Sequence, residues 1–271
     1  MQKNTVDGYF LLGHALNRSD EEAFFMLGSN TKDFHILVVG NVISDMPWLD
    51  NIEATSTEMQ RYLDAQKLRI GGAANVVRVV ASSGVAVGLL CINEADEMGR
   101  HNQLAQFNAL LPQYDVIVLS DYPKSFLKSL TRMVMSARQL GKMVLIEPQG
   151  EDFSPFIGAS ILTPNVDLLR HVVGGWSDEE ELGSKIQKML VGLELGGLIL
   201  NREEQGISLY SDHHVCHFPN VIINGSNSLI AAVAAMLRCG RSIPTAVSLV
   251  AENSLAWIEN WAHAGFVTEE M

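Results

Sequence analysis

The sequence predicts an α/β protein with a mostly parallel, doubly wound sheet and helices on both faces. Three observations carry this. Short, unbroken apolar runs recur along the chain, as strands covered on both faces require. Segments with helical spacing separate them, which is the alternation of βαβ units. The chain has 271 residues, of which 47% are hydrophobic and 18% charged. That is enough apolar material for one large α/β domain or two small ones, and far from the composition of a disordered chain.

Taken in order, residues 1–34 read as a lead-in. Ser19-Asp20-Glu21-Glu22 has the form of a helix start, with Ser19 as cap and Glu22 three residues on, and residues 23–27 supply an apolar face. The main domain follows over 35–271. Its first strand is predicted at 35–39 (HILVV), ending in Gly40, and Gly71-Gly72 marks a turn before a helix at 73–82. A second strand at 86–92 leads to a helix at 97–111 and a third strand at 115–119. An amphipathic helix at 126–140 stops at Gly141, the residue type that ends helices most cheaply. Strands at 143–146 and 160–163 come next, the latter ending at Pro164. A helix at 177–193 opens on Ser177 with Glu180 three residues on, and the sixth strand is 197–201. Residues 207–210 and 214–218 read as a short antiparallel pair, and 228–239 and 245–261 as apolar helices. In such sheets ligands bind beyond the carboxyl ends of the strands, so the informative residues should follow the strands.

The formal net charge of −12 argues against a nucleic-acid or anionic-membrane partner. A phosphorylated small ligand stays open, because a helix N-terminus can receive an anion locally. Cys91, Cys216 and Cys239 are odd in number and lack Cys-x-x-Cys spacing, so neither a disulfide framework nor a zinc site is predicted. A reducing cytoplasm is the expected compartment. The first 30 residues lack a basic start followed by a clean apolar stretch, so no signal peptide is expected. No apolar run suits a membrane helix. His213, His214 and His217 are close in sequence, but without carboxylate or cysteine at ligand spacing they predict no metal centre.

Four segments in order resemble the ribokinase (PfkB) sugar kinases, and among them the heptose-7-phosphate kinase domain of the bifunctional enzyme that makes ADP-heptose for lipopolysaccharide. Residues 68–76 (LRIGGAANV) resemble an early Gly-Gly-x-x-Asn signature. Residues 116–124 (VIVLSDYPK) are similar to a strand ending in Ser-Asp-Tyr-x-Lys. Residues 144–165 resemble a strand followed by Asp-Pro-Lys-Gly and then Leu-Thr-Pro-Asn, and residues 201–232 resemble a Thr-Arg-x-Glu-Gln-Gly turn running on to a Gly-Ala-Gly-Asp loop. The resemblance covers roughly residues 35–265. It implies a ribokinase-like three-layer sandwich, ATP with magnesium as cofactors, and a sugar or sugar-phosphate substrate.

The same resemblance assigns candidate residues and exposes departures. Gly71, Gly72 and Asn75 fall in a sugar-side loop, where glycines admit close backbone approach and an amide can bind hydroxyls; an ordinary glycine turn is the competing reading. Asp45 matches a hydroxyl-binding Asp, or is a solvated loop acid, while the Asp that precedes it in the family is Asn41 here. Asp121 and Lys124 lie in the stretch near substrate and phosphates, with Pro123 where the family has a small residue. Asn165 heads an Asn-x-x-Glu motif whose acid orders magnesium; that position holds Leu168, and Asp167 stands one residue early. Asn201, Gly225, Ser226 and Asn253 match nucleotide- or phosphate-side positions.

The decisive segment is 221–229 (VIINGSNSL), where the resemblance has Asp-x-Thr-Gly-Ala-Gly-Asp-Thr opening a helix. Asn227 stands at the catalytic Asp, and Asn224 and Ser226 replace two cradle glycines. An amide is not basic near neutral pH and cannot act as general base. The chain is also short between its second helix and third strand, leaving 48–69 as a reduced lid. These departures predict a catalytically degenerate protein that acts by binding a sugar phosphate, a nucleotide or a protein partner, with ATP, ADP and magnesium binding weakened or lost. The alternative is an active, divergent ATP-dependent sugar kinase with another acid as base. With little lid to clasp, a monomer, or a dimer through a different surface, is expected.

Overall fold

Central strands covered on both faces organise the molecule. A computed structural model describes residues 5–6, 9–12, 24–28, 35–41, 72–83, 85–92, 97–120, 122, 126–212, 214–219, 221, 226–237 and 242–252. Its strands are β1 (Thr5–Val6), β2 (Tyr9–Leu12), β3 (Phe24–Gly28), β4 (His35–Gly40), β5 (Ala86–Cys91), β6 (Val116–Leu119), β7 (Met143–Ile146), β8 (Ile161–Leu162), β9 (Gly197–Asn201), β10 (Ile207–Ser211) and β11 (His214–Phe218). They form one sheet in the order β1-β2-β3-β5-β4-β6-β7-β8-β9-β10-β11. The central run β5-β4-β6-β7-β8-β9 is parallel throughout. The flanks, β1-β2-β3 on β5 and β10-β11 on β9, are antiparallel.

The helices are α1 (Gly72–Ser82), α2 (Glu97–Leu110), α3 (Leu127–Gln139), α4 (Val166–Val173), α5 (Glu179–Gly192), α6 (Ser226–Leu237) and α7 (Ile243–Glu252). Because side chains alternate along a strand, the sheet sends two apolar sets in opposite directions. Ile36, Val38, Val116, Val118, Leu145 and Ile199 face α1, α6 and α7. Leu37, Val39, Ile117, Leu119, Ile146 and Leu198 face α2, α3, α4 and α5. The result is the predicted three-layer sandwich. Helix α6 is buried on nearly every side from Leu229 to Ala235, because it packs against α1 and α7 as well as the sheet.

The six predicted parallel strands and the antiparallel pair are all present. The predicted helix over 19–27 is corrected: Phe24–Gly28 is strand β3, antiparallel to β5, while Ser19 to Glu22 lie outside the described residues. The aromatic run Phe24-Phe25 suits a strand, and an open edge of β5 offers unpaired backbone groups that a local helix cannot satisfy. The cap of α5 is also corrected. Asp178, one residue beyond Ser177, accepts from the Glu181 N–H at 2.8 Å, and the Glu181 carboxylate reaches back to the Ser177 N–H at 2.8 Å and its hydroxyl at 2.8 Å. Asp178 is therefore the cap, and the return bond of Glu181 goes one residue further back, to Ser177 just outside the helix. Gly141 ends α3 with φ of +66°, as predicted.

Candidate functional site

Parallel strands deliver their carboxyl ends to one edge, so the residue after each strand lands in one row. The backbone ladder continues past the strands: Ser120 N–H donates to Val39 C=O, Glu147 N–H to Leu119 C=O, Thr163 N–H to Ile146 C=O and Asn201 N–H to Pro164 C=O. This seats Ser120, Glu147, Thr163, Asn165 and Asn201 along the edge. Gly40 makes room for the row. A Cβ there would lie 1.7 Å from the Ser120 carbonyl oxygen and 2.8 Å from Ala73 Cβ.

The centre of the row is a clasp of three side chains from β6, β7 and α6. The Ser120 hydroxyl, fully buried, donates to Glu147 Oε2 at 2.6 Å. Having spent its one proton, it can only accept from Asn227, whose nearer amide atom is 3.0 Å away. The same amide atom faces both carboxylate oxygens of Glu147, one of them at 3.1 Å, so it is the NH2 group; an amide oxygen there would meet acceptors alone. Asn227 therefore donates to Glu147 and Ser120. Tyr122 braces the clasp: its phenol donates to the Glu147 C=O at 3.1 Å and accepts from the Gln149 N–H at 3.2 Å. Burial pushes the Tyr122 phenol far above its ordinary value, so it stays a neutral donor.

Two of the predicted residues meet at the next strands. Asn165, beyond β8, bridges in parallel to Asn201, the last residue of β9. Each side chain caps local backbone: Asn165 accepts from the Leu168 N–H at 2.8 Å, as the N-cap of α4, and Asn201 from the Glu203 N–H at 3.0 Å. Leu168 packs onto the apolar cluster under α4, and Asp167 is exposed on the helix surface. The position that the resemblance assigns to the metal-ordering acid thus does not fit a magnesium ion.

Gly72 and Asn75 lie in the first turns of α1, and Ser226 opens α6, two residues before the predicted start of that helix. Asn227 consequently sits in the helix's first turn. Asp45, Gly71, Asp121, Lys124, Gly225 and Asn253 lie outside the described residues, as do the reduced lid at 48–69 and Cys239. Cys91 is largely shielded, and burial pushes its thiol up to about 12, so it is an inert thiol at neutral pH. The sequence reading did not single out Glu147. Its signal was present: it directly follows a parallel strand, and it stands with Gln149 where the resembling family has Asp and Lys.

Beyond β9, Arg202 is gripped on several sides. It binds both Glu179 oxygens at 2.8 and 2.6 Å, the Ser208 hydroxyl at 2.7 Å and the Tyr210 phenol at 2.7 Å. This ion pair holds the Glu179 carboxyl below its ordinary value.

An open sheet that gathers polar side chains along its carboxyl edge belongs to the ligand-binding doubly wound class. No protein-family model matches the chain. It is 31% identical over 273 aligned positions to the bifunctional protein HldE of Pseudomonas fluorescens strain Pf-5, with 79% of this chain and 57% of that protein covered. HldE of Ectopseudomonas mendocina is also 31% identical, over 79% of this chain and 58% of the relative. The chain thus spans about 57–58% of the length of these curated relatives. Among solved structures it is similar to the tetrameric inhibited form of phosphofructokinase-2 from Escherichia coli, with TM-score 0.59 and 13% identity over 85% of this chain and 99% of that one. Arabidopsis thaliana ribokinase, complexed with ribose and ATP, gives TM-score 0.55 and 13% identity over 82% of this chain and 91% of its own. Over 79% of its length the chain is thus related to part of the HldE proteins, and its fold is that of phosphofructokinase-2 and ribokinase. Among the described residues, no helix is long and apolar enough to cross a membrane.

Proposed function

We propose that this chain is a degenerate member of its family, which holds a sugar-class ligand or a protein partner at the carboxyl edge of the sheet without transferring phosphate. The observation that carries the reading is residue 227. Family resemblance puts the catalytic carboxylate there; this chain has an amide, and its NH2 group is turned onto Glu147 and Ser120. An amide has no lone pair basic enough near neutral pH to take a proton from a hydroxyl. Loss of a general base by itself costs about 10²–10⁴ in rate. Leu168, packed on the core where an acid would order magnesium, adds to the same side. Solved relatives in the fold are described with fructose-6-phosphate and with ribose and ATP, which supports a sugar as the class of ligand.

One observation favours the second reading, an active divergent kinase. Glu147 places a carboxylate beside residue 227, so a base is available one side chain away. The two readings separate in a coupled ADP-release assay with ATP, magnesium and heptose or hexose phosphates. The degenerate reading expects no turnover above a no-enzyme control. Robust turnover that disappears in Glu147→Gln overturns it in favour of Glu147 as base; turnover that survives that change and fails in Asp121→Asn moves the base to Asp121.

A further inference from the structure

The amino edge of the sheet, opposite the row of polar side chains, carries a different surface. Helix α3 follows β6 and returns so that its end precedes β7, and α5 likewise ends just before β9, so both helix C-termini lie at this edge. The Gly158 N–H donates to the Leu193 C=O at 2.8 Å and ties the turn after residues 154–156 to the end of α5. Between that turn and α3 runs an open groove of about 460 Å³, lined by Met135, Arg138, Gln139, Ile157 and Glu194. Among the described residues, Met135, Leu140, Ile157, Val191 and Val215 are the large hydrophobic side chains left exposed. Two of them line the groove, Leu140 follows Gln139, and the Val191 C=O accepts from the Glu194 N–H at 3.3 Å. Single exposed apolar residues are ordinary; a group gathered on one face marks an interaction surface.

The charge around the groove is the reverse of the chain's. Residues 122–146 hold five of the 19 Lys and Arg residues and none of the 31 Asp and Glu. On α3, Lys128, Arg132, Met135 and Gln139 are exposed or half-exposed at helical spacing and so share one stripe. Arg138 is paired with Glu194 at 2.7 Å, whereas Lys128 and Arg132 have no acid partner among the described residues. Helix stability does not explain this placement. Lys128 stands in the first turn, where the helix dipole favours an acid and where α5 has Glu179, Glu180 and Glu181.

We propose that this groove docks an acidic segment of another protein, with an apolar side chain seated between Met135 and Ile157 and carboxylates along Lys128 and Arg132. Charge complementarity selects the occupant. Two copies of this chain meeting through α3 would oppose two basic stripes. A nucleic acid or an anionic bilayer would meet the surface of a chain with a formal charge of −12. A short segment meets only what lies within a screening length of about 8–10 Å, here the basic stripe. The proposal is independent of any ligand at the carboxyl edge, since the two surfaces lie at opposite ends of the strands.

The test is fluorescence anisotropy of the whole chain with a labelled peptide of Glu-Glu-Leu repeats, beside matched Lys-Lys-Leu and Glu-Glu-Ser peptides. Only the first should bind, because it alone supplies both carboxylates and an apolar anchor. Arg132→Gln should weaken binding about threefold, and Met135→Ser about tenfold. Arg170→Gln, the same charge change on exposed α4 surface, and Val215→Ser, which trims exposed apolar surface on β11, should leave it unaltered. Thermal unfolding checks that each variant is folded, and Leu140→Ser replaces Met135→Ser if that variant is unstable. No binding by the wild-type chain, equal binding of either control peptide, or binding indifferent to Arg132→Gln and Met135→Ser overturns the proposal. So does an equal loss in Arg170→Gln or Val215→Ser. Sedimentation with phosphatidylglycerol vesicles that Met135→Ser abolishes would overturn it in favour of a membrane contact. A dimer in light scattering that Met135→Ser disperses would overturn it in favour of a contact between copies.

Discussion

At the scale of single residues, the pairing of Asn227 with Glu147 sets a cost on placing an acid at position 227. Asn227→Asp would set two carboxylates within hydrogen-bond distance, and such a pair cannot ionise fully without cost. One carboxyl of the pair would have its folded-state pKa raised above the unfolded value, so stability is lost at neutral pH and regained as pH falls through the raised value. We expect Asn227→Asp to be less stable than wild type by about 1–3 kcal/mol at neutral pH, with the gap closing toward pH 4–5, measured by denaturant unfolding across pH. A gap that does not change with pH would show that the side chains part on substitution. The same variant should recover no detectable kinase activity, since Leu168 and the replaced cradle glycines remain; groups that act as a unit are not restored singly. Gly40 sits at this scale too. Gly40→Ala would drive its methyl into the Ser120 carbonyl, and a loss of about 3 kcal/mol is expected from overpacking. A near-neutral result would mean that β4 and β6 separate easily at their ends.

At the scale of elements, the join between α5 and the β9–β10 turn rests on Arg202. Its head is nearly buried while its partner Glu179 is mostly exposed, with relative side-chain exposures of 10% and 67%. The Glu179 carboxyl is held low chiefly by its hydrogen bonds to Arg202. Its contribution is therefore present above the ordinary carboxylate range and fades as pH falls below it. Discounted for exposure, Glu179→Gln should cost about 1 kcal/mol at neutral pH, and the wild-type and variant unfolding curves should converge in acid. A penalty that persists at low pH would place the role in packing. The α5 cap makes a sharper distinction: Asp178→Ala should lose about 1 kcal/mol and Ser177→Ala less than half as much. The reverse order would return the cap to Ser177.

At the scale of the whole molecule, the sheet grades from a fully covered centre to an open margin. Strands β4, β6 and β7 are buried almost throughout, whereas β11 is largely exposed, with Val215 at 64% exposure. Amide hydrogen exchange should therefore be slowest in β4, β6 and β7, near the global unfolding limit, and faster by orders of magnitude in β11. Protection of β11 equal to that of β6 would show that this edge is covered in solution, as by a second copy of the chain.

Much of this was legible in the residues. The parallel strands at 35–40, 116–119, 143–146 and 197–201 announce themselves because a strand covered on both faces has to be apolar without interruption. Leu168 and Asn227, where the resemblance has acids, were equally legible, since an apolar or amide residue at such a position is read directly from the chain. The cap of α5 was read one residue early, because Ser177 and Asp178 both suit a cap and backbone geometry alone chooses between them. The strand at Phe24–Gly28 was misread because a flanking antiparallel strand is decided by the neighbours it pairs with, here β2 and β5, the latter some sixty residues away. The sequence by itself determined the layers and the amide at residue 227. Only the tertiary structure decided that Ser120, Glu147 and Asn227, separated by 27 and 107 residues from Ser120, share one set of hydrogen bonds. Such a contact depends on the register of adjacent parallel strands and on where α6 begins, and neither leaves a local pattern in the chain.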